Sequence, residues 1–66
     1  MNIVLNGEQH QLAAPQALSE LIGSLNLSGQ AIAVAVNRQI IARPQWHVYL
    51  LQEQDKVDVV RAIGGG

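Results

Sequence analysis

The chain has 66 residues, of which 48% are hydrophobic, and four basic and five acidic residues give it a formal net charge of −1. A chain this short buries only about 60% of the surface that its unfolded form exposes, which predicts one domain with a thin core. Two partner classes are disfavoured, nucleic acid because the four basic residues are scattered, and membranes because the longest apolar run, residues 31–36, is too short to span one.

The chain contains no cysteine, which excludes disulfides and thiolate chemistry within it. Its first ten residues, MNIVLNGEQH, lack the basic start and small-residue cleavage site of a signal peptide. We therefore expect a cytoplasmic protein.

The first third of the chain predicts a hairpin followed by a helix. The apolar run 3–5 precedes Asn6-Gly7, the preferred pair of a type I′ turn, and residues 8–12 are expected to form the return strand. Pro15 suits the first turn of a helix. An apolar helix face is then indicated by the i, i+3, i+4 and i+7 spacing of Leu18, Leu21, Ile22 and Leu25.

The middle of the chain predicts a second pair of strands. Residues 31–36 alternate isoleucine or valine with alanine, so both faces are apolar and a central strand is indicated. Asn37-Arg38 predicts a tight turn, and residues 39–42 predict a short partner strand.

The last third predicts a crossover and a final strand. After Arg43-Pro44, we expect Trp46, Leu50 and Leu51 to form a satellite cluster under an irregular loop with a helical turn. A polar turn at 52–55 then precedes a strand over 56–63. The predicted fold is α+β, with residues 1–63 forming a mixed sheet of four to five strands, one main helix on one face, and residues 64–66 forming a flexible tail.

The sequence shows no catalytic constellation. His10 and His47 are far apart, whereas a metal site needs three or four ligands. Turn solvation explains the carboxylates of Glu53, Asp55 and Asp58 better than acid–base chemistry does. We therefore expect neither an enzyme nor a metal-binding protein.

The run Gly64, Gly65 and Gly66 offers a different chemistry. Without Cβ atoms it can extend through a narrow channel of a partner, reaching on the order of 10 Å. A carboxylate on Gly66 is a poor electrophile, but an acyl-adenylate is reactive, and sulfide can then replace AMP to leave a thiocarboxylate. The alternatives are a frayed terminus or a cloning scar.

Four features of the sequence point to a known family: the stretches MNIVLNGE and AVAVNRQIIAR, the following Trp46 and the final Gly65-Gly66. Through these features the chain resembles, across all 66 residues, the ThiS family of sulfur carriers of thiamine biosynthesis. The resemblance implies a ubiquitin-like β-grasp fold. It implies that a ThiF-like adenylyltransferase uses ATP and magnesium to adenylate Gly66, which then becomes a thiocarboxylate. It also implies a cysteine desulfurase or another sulfur donor upstream, and the thiazole synthase ThiG as acceptor, with Gly64 an additional glycine.

The sequence leaves other interpretations of its function open. A MoaD-like carrier for molybdopterin has the same fold and Gly-Gly end, often with a proline shortly before it, and residues 60–63 contain none. Carriers in other sulfur-transfer pathways, and a β-grasp interaction module with an inert tail, are further alternatives.

The predicted last strand also suggests a docking surface. If Val57 and Val59 face the helix, Val60 lies on the uncovered face of the sheet, and Ala33 and Ala35 are candidates to join it. We expect a shallow apolar patch that docks the activating enzyme. Ordinary core packing is the alternative role for the two alanines.

Overall fold

Two tight turns, each beginning with asparagine, form the hairpins of the fold. The computed structural model describes residues 1–61, in which β1 (Asn2–Leu5) and β2 (Glu8–Gln11) flank the first turn. The second turn joins β3 (Ile32–Val36) to β4 (Gln39–Ile41). The backbone angle φ is +50° at Asn6 and +83° at Gly7, and +52° at Asn37 and +70° at Arg38. Positive φ at both central residues is the signature of a type I′ turn, which confirms both predicted turns.

The final strand, β5 (Lys56–Arg61), joins the two hairpins into one sheet of order β2-β1-β5-β3-β4. It pairs in parallel with β1 and antiparallel with β3. β3 lies between β5 and β4, which confirms that residues 31–36 contribute an interior strand, while β5 occupies the middle position of the sheet. A two-stranded hairpin is marginal alone, so each hairpin gains stability by sharing β5.

The helix α1 (Leu18–Ser24) starts later than Pro15 suggested. Ala17 at its N-cap has no side-chain acceptor, so the first helical N–H groups bond elsewhere. Leu18 N–H donates to the carbonyl oxygen of Tyr49 (2.8 Å), and Ser19 N–H donates to that of Trp46 (3.0 Å). A distant segment of the chain thus sets the start of the helix.

The core lies between α1 and one face of the sheet, as predicted. Its fully buried side chains come from the helix and from three strands: Ile3, Leu18, Leu21, Ile22, Val34, Val36 and Val57. Trp46 and Leu51 belong to this same core, whereas Leu50 is 64% exposed, so the predicted satellite cluster is wrong. Trp46 is fixed there because its Nε1–H donates to the carbonyl oxygen of Ile41 (2.8 Å), which satisfies the one polar atom of the buried ring.

Arg43 links the segment that follows β4 to the loop that precedes β3. Its guanidinium lies 4.5 Å from the centre of the Trp46 ring and donates to the carbonyl oxygens of Ser28 (3.0 Å) and Gln30 (2.7 Å). Cation–π contact and hydrogen bonds therefore tie the loop before β3 to the 3₁₀ turn Arg43–Gln45.

Candidate functional site

Within the described residues, the features that can contact a partner are the open face of the sheet and the ends of its strands. Within residues 1–61, no three His, Cys, Asp or Glu side chains are grouped to hold a metal ion. No helix in that range is long and apolar enough to cross a membrane. A shallow groove of about 310 Å³ is lined by His10, Glu20 and Ser24 among other residues.

The face of the sheet opposite α1 carries an apolar patch. The strand register pairs Val60 with Ala33, and it pairs Ala35 with Asp58 on one side and Ile40 on the other. Directly paired residues project from the same face, so these side chains are neighbours. Val60 is 61% exposed and Ile40 69% exposed. We call Ala33, Ala35, Ile40 and Val60 the apolar patch.

The structure thus places Val60 and Ala33 on the open face and exposed, with Ala35 half-buried between them. Docking at these residues stays a prediction. Ile40 was missed, although Gln39-Ile40-Ile41 carried the signal. Successive residues of a strand point to opposite faces, so one of two adjacent isoleucines had to lie on the open face.

The other half of the open face is polar. Register pairing places Asn2, Gln9, Gln11 and Lys56 around Val4 there. The exposed side chains of Val48 and Leu50 lie outside the sheet strands. The apolar patch is therefore confined to the β5-β3-β4 half of the sheet.

Both turn asparagines hold β5, the strand that leads to the glycine run. Val59 N–H donates to Asn6 Oδ1 (2.8 Å), and Lys56 N–H donates to Asn37 Oδ1 (3.1 Å). The backbone N–H groups of the same asparagines donate to the carbonyl oxygens of Val57 (2.8 Å) and Lys56 (2.7 Å). Each asparagine therefore makes one backbone and one side-chain bond to the strand.

The geometry explains why asparagine stands at both turns. In the parallel β1–β5 ladder, the residue that donates to Val57 would accept Val59 N–H on its own carbonyl oxygen. In the antiparallel β3–β5 ladder, Asn37 would likewise accept Lys56 N–H. Both asparagines have positive φ, and in each case the side-chain oxygen accepts the strand N–H in place of the backbone carbonyl oxygen.

Asp55 was predicted to be a solvated turn carboxylate, and the structure corrects this. The residue is only 7% exposed. Its Oδ1 accepts Asn37 Nδ2–H (3.0 Å), and its Oδ2 accepts Gln52 N–H (2.8 Å). A buried carboxylate requires such donors, and the sequence alone did not distinguish Asp55 from its neighbours Glu53 and Asp58.

The predicted group-carrying residues Gly64, Gly65 and Gly66 lie outside the described residues. The same holds for the predicted boundary after residue 63 and for the last two residues of the predicted strand, because β5 is described as Lys56–Arg61. What the structure shows is the base from which this segment departs, with β3 on one side and Asn6 on the other.

Comparison with known proteins extends the picture to the whole chain. The model of the ThiS family matches residues 3–66. The sulfur carrier protein ThiS of Escherichia coli (strain K12) is 35% identical over 66 residues, which cover all of both chains. A thiazole synthase of Magnetococcus marinus is 38% identical over 66 residues, and this chain spans 20% of that protein's length.

A solved structure shares the fold. The crystal structure of the thiamine biosynthesis protein ThiS from Geobacter metallireducens aligns with a TM-score of 0.87, covering all of both chains at 22% identity. This agreement confirms the β-grasp fold that the resemblance implied.

Proposed function

This chain belongs to the ThiS family, and from that premise we propose that it carries sulfur as a thiocarboxylate on Gly66. The single observation that carries the proposal is the full-length match to the E. coli sulfur carrier. The chain is a sulfur carrier protein of thiamine biosynthesis. The chemical details that follow, and the residues that perform them, are our proposal.

The proposed chemistry takes place in the active sites of partners. A Gly66 carboxylate oxygen attacks the α-phosphorus of ATP, held with magnesium by a ThiF-like adenylyltransferase, and pyrophosphate leaves. Hydrosulfide then attacks the acyl carbon, the bond from that carbon to the AMP oxygen breaks, and AMP and a proton are released. The product is a glycine thiocarboxylate, and a cysteine desulfurase or another donor supplies the sulfur indirectly.

The proposed acceptor is a thiazole synthase. The support is that a segment similar to this chain makes up 20% of two proteins named thiazole synthase, at 38% and 30% identity. A carrier joined to such an enzyme in one polypeptide would have a high effective concentration at the acceptor's active site. A cytoplasmic location stays a prediction.

The proposed docking surface for the activating enzyme is the apolar patch. Ile40 and Val60 expose apolar area, and the small side chains of Ala33 and Ala35 leave the face shallow between them. Such area is favourable to bury against a partner. The patch also includes β5, so an enzyme docked there would lie beside the strand that leads to Gly66.

The test of the carrier role is mass spectrometry of the intact chain. With ATP, magnesium and a ThiF-type enzyme, the chain should gain the mass of an adenylyl group. With a sulfur donor, it should end heavier by the difference between sulfur and oxygen. Deleting Gly66 withdraws the carboxylate by about 3.5 Å and should sharply reduce adenylation.

Gly66→Ala should also reduce adenylation, because a Cβ is added where the partner's channel must be narrow. The matched control is Gly23→Ala, where the added Cβ meets no atom within 4 Å. It should be adenylated like the unmodified chain. Equal adenylation of the chain lacking Gly66 would refute the carrier chemistry proposed for that residue.

The docking surface has a separate test. Val60→Asp should raise the KM of the activating enzyme for the carrier while leaving the free energy of unfolding within about 0.5 kcal/mol, because the side chain is exposed. Val48→Asp is the matched control, since Val48 is 59% exposed outside the sheet. An equal rise in KM for both variants would show that the patch has no special role.

A further inference from the structure

One hydrogen bond lies at the point where β5 loses a neighbour. The β1–β5 pairing ends at Leu5 with Val57, and the bond from Val59 N–H to Asn6 Oδ1 (2.8 Å) extends it by one step. Beyond Val59, the described part of β5 pairs with β3 alone, through Val60 with Ala33 and Arg61 with Ile32. The bond to the Asn6 side chain is thus the last hydrogen bond on the β1 side of the strand within residues 1–61.

The type of residue at position 6 gives a second observation. The turn requires positive φ there, and glycine adopts that conformation at least as readily as asparagine. Glycine would keep the turn and lose the oxygen that accepts Val59 N–H. Asparagine therefore adds one thing beyond the turn, a hold on β5 at Val59.

We infer that Asn6 is a positioning residue that aims β5, and hence Gly66, into the active site of the activating enzyme. This inference rests on the proposed function. Gly66 is seven residues beyond Val59. The five residues beyond Arg61, the last residue described as paired with β3, span about 17 Å when drawn out in a partner's channel, so a change of roughly 10° in the direction of the strand end displaces the carboxylate by about 3 Å. Displacements well below that size disturb reactions that depend on near-attack geometry.

Asn6 and the apolar patch should affect different steps, Asn6 the positioning of Gly66 in the active site and the patch the binding of the domain to the enzyme. The apolar patch lies on side chains that project from the open face, and Asn6 acts on a backbone N–H in the plane of the sheet. Removing the Asn6 oxygen should therefore lower the kcat of adenylation and leave the KM for the carrier unchanged. A change at Val60 should do the reverse.

The experiment compares three variants of the full chain. Asn6→Gly keeps the turn and removes the acceptor. Asn6→Asp tolerates positive φ and restores an oxygen acceptor. Asn37→Gly is the matched control, because it is the same substitution in the same type of turn and removes the bonds at the other end of β5. The readouts are the kcat and KM of adenylation and the amide hydrogen exchange of Val59 and Lys56.

For Asn6→Gly, we expect kcat to fall about five-fold, within the range that loss of one neutral hydrogen bond allows, with KM unchanged. Val59 amide exchange should become about ten-fold faster. Asn6→Asp should restore both values. Asn37→Gly should speed exchange at Lys56 and leave kcat unchanged, even though it removes more bonds.

The inference is overturned if Asn6→Gly is adenylated with the kcat of the unmodified chain, or if both glycine variants lower kcat equally. The first result would show that the bond does not aim the tail, and the second that general loosening of the fold is responsible. Failure of the unmodified chain to be adenylated would instead overturn the proposed function, and the presentation role with it.

Discussion

The turn at Asn6-Gly7 and the turn at Asn37-Arg38 have the same backbone geometry but hold β5 to different extents. Asn37 makes three hydrogen bonds at the start of the strand, two to Lys56 and one to the carboxylate of the buried Asp55. Asn6 makes two bonds further along, to Val57 and Val59. One turn motif thus anchors the start of β5 to the core and, on our inference, aims its other end.

The two turns differ again at their second residue. Gly7 has φ of +83° without a Cβ, whereas Arg38 adopts φ of +70° with a full side chain. Residues other than glycine rarely adopt this conformation, and asparagine and aspartate are the usual exceptions. The Asn37-Arg38 turn therefore combines more hydrogen bonds with a less favourable backbone, and substitutions can separate the two effects.

The largest effect should come from Asp55, whose carboxylate accepts a hydrogen bond from Asn37 of the second turn. Asp55→Ala removes the acceptor of two hydrogen bonds and leaves Asn37 Nδ2–H and Gln52 N–H without partners. We expect the free energy of unfolding, measured in urea, to fall by about 3 kcal/mol. Asp58→Ala, at an exposed position on the open face, is the control and should change it by less than about 0.5 kcal/mol. Equal losses for both variants would contradict the anchoring role of Asp55.

The next effect compares the asparagines directly. Asn37→Gly removes two side-chain bonds and should lower the free energy of unfolding by about 1.5 kcal/mol, whereas Asn6→Gly removes one and should lower it by about 0.7 kcal/mol. Glycine keeps both turns, so the difference reports the side-chain bonds. A larger loss for Asn6→Gly would reverse the comparison and place the stronger anchor at the first turn.

These interactions mark where sequence reasoning was sufficient and where it was not. Both turns, the helix face and the five strands followed from local signals, namely Asn in positive-φ pairs and apolar spacings of 3.6 and 2. The exposure of Val60 followed from the same alternation. Local pattern carries this information because it depends on neighbours along the chain.

What the sequence did not show depends on contacts between distant segments. The start of α1 is set by the carbonyl oxygens of Trp46 and Tyr49, and Trp46 joined the main core because its indole N–H reached Ile41. The burial of Asp55 depends on Asn37, eighteen residues away in sequence. No periodicity encodes such pairings, so they became visible only in the folded chain.

The next substitution exchanges the second residue of a turn, because position 7 of the first turn receives the arginine that the second turn has at position 38. Gly7→Arg places a side chain at φ of +83°, and an added Cβ would meet no atom within 4 Å. A Cβ at position 7 therefore has open space beyond its chain neighbours, and the backbone preference is the main contribution that we expect to change. We expect the free energy of unfolding to fall by about 1 kcal/mol. Loss of more than about 3 kcal/mol would show that the first turn depends on glycine for packing as well as for conformation.

The reverse substitution, Arg38→Gly, should have the smallest effect and the opposite sign. Glycine at φ of +70° removes the unfavourable left-handed conformation, which is worth about 1–2 kcal/mol. Its greater freedom in the unfolded chain offsets up to about 1 kcal/mol of that gain. We expect a net rise of about 0.5 kcal/mol in the free energy of unfolding, measured in urea beside Arg38→Ala, which keeps a Cβ and should show no rise. The Arg38 side chain is exposed, so its removal costs little packing. A loss of stability in Arg38→Gly would show that Arg38 makes a favourable interaction in solution that outweighs its backbone strain. The two turns would then differ in their second residue for a reason other than conformation.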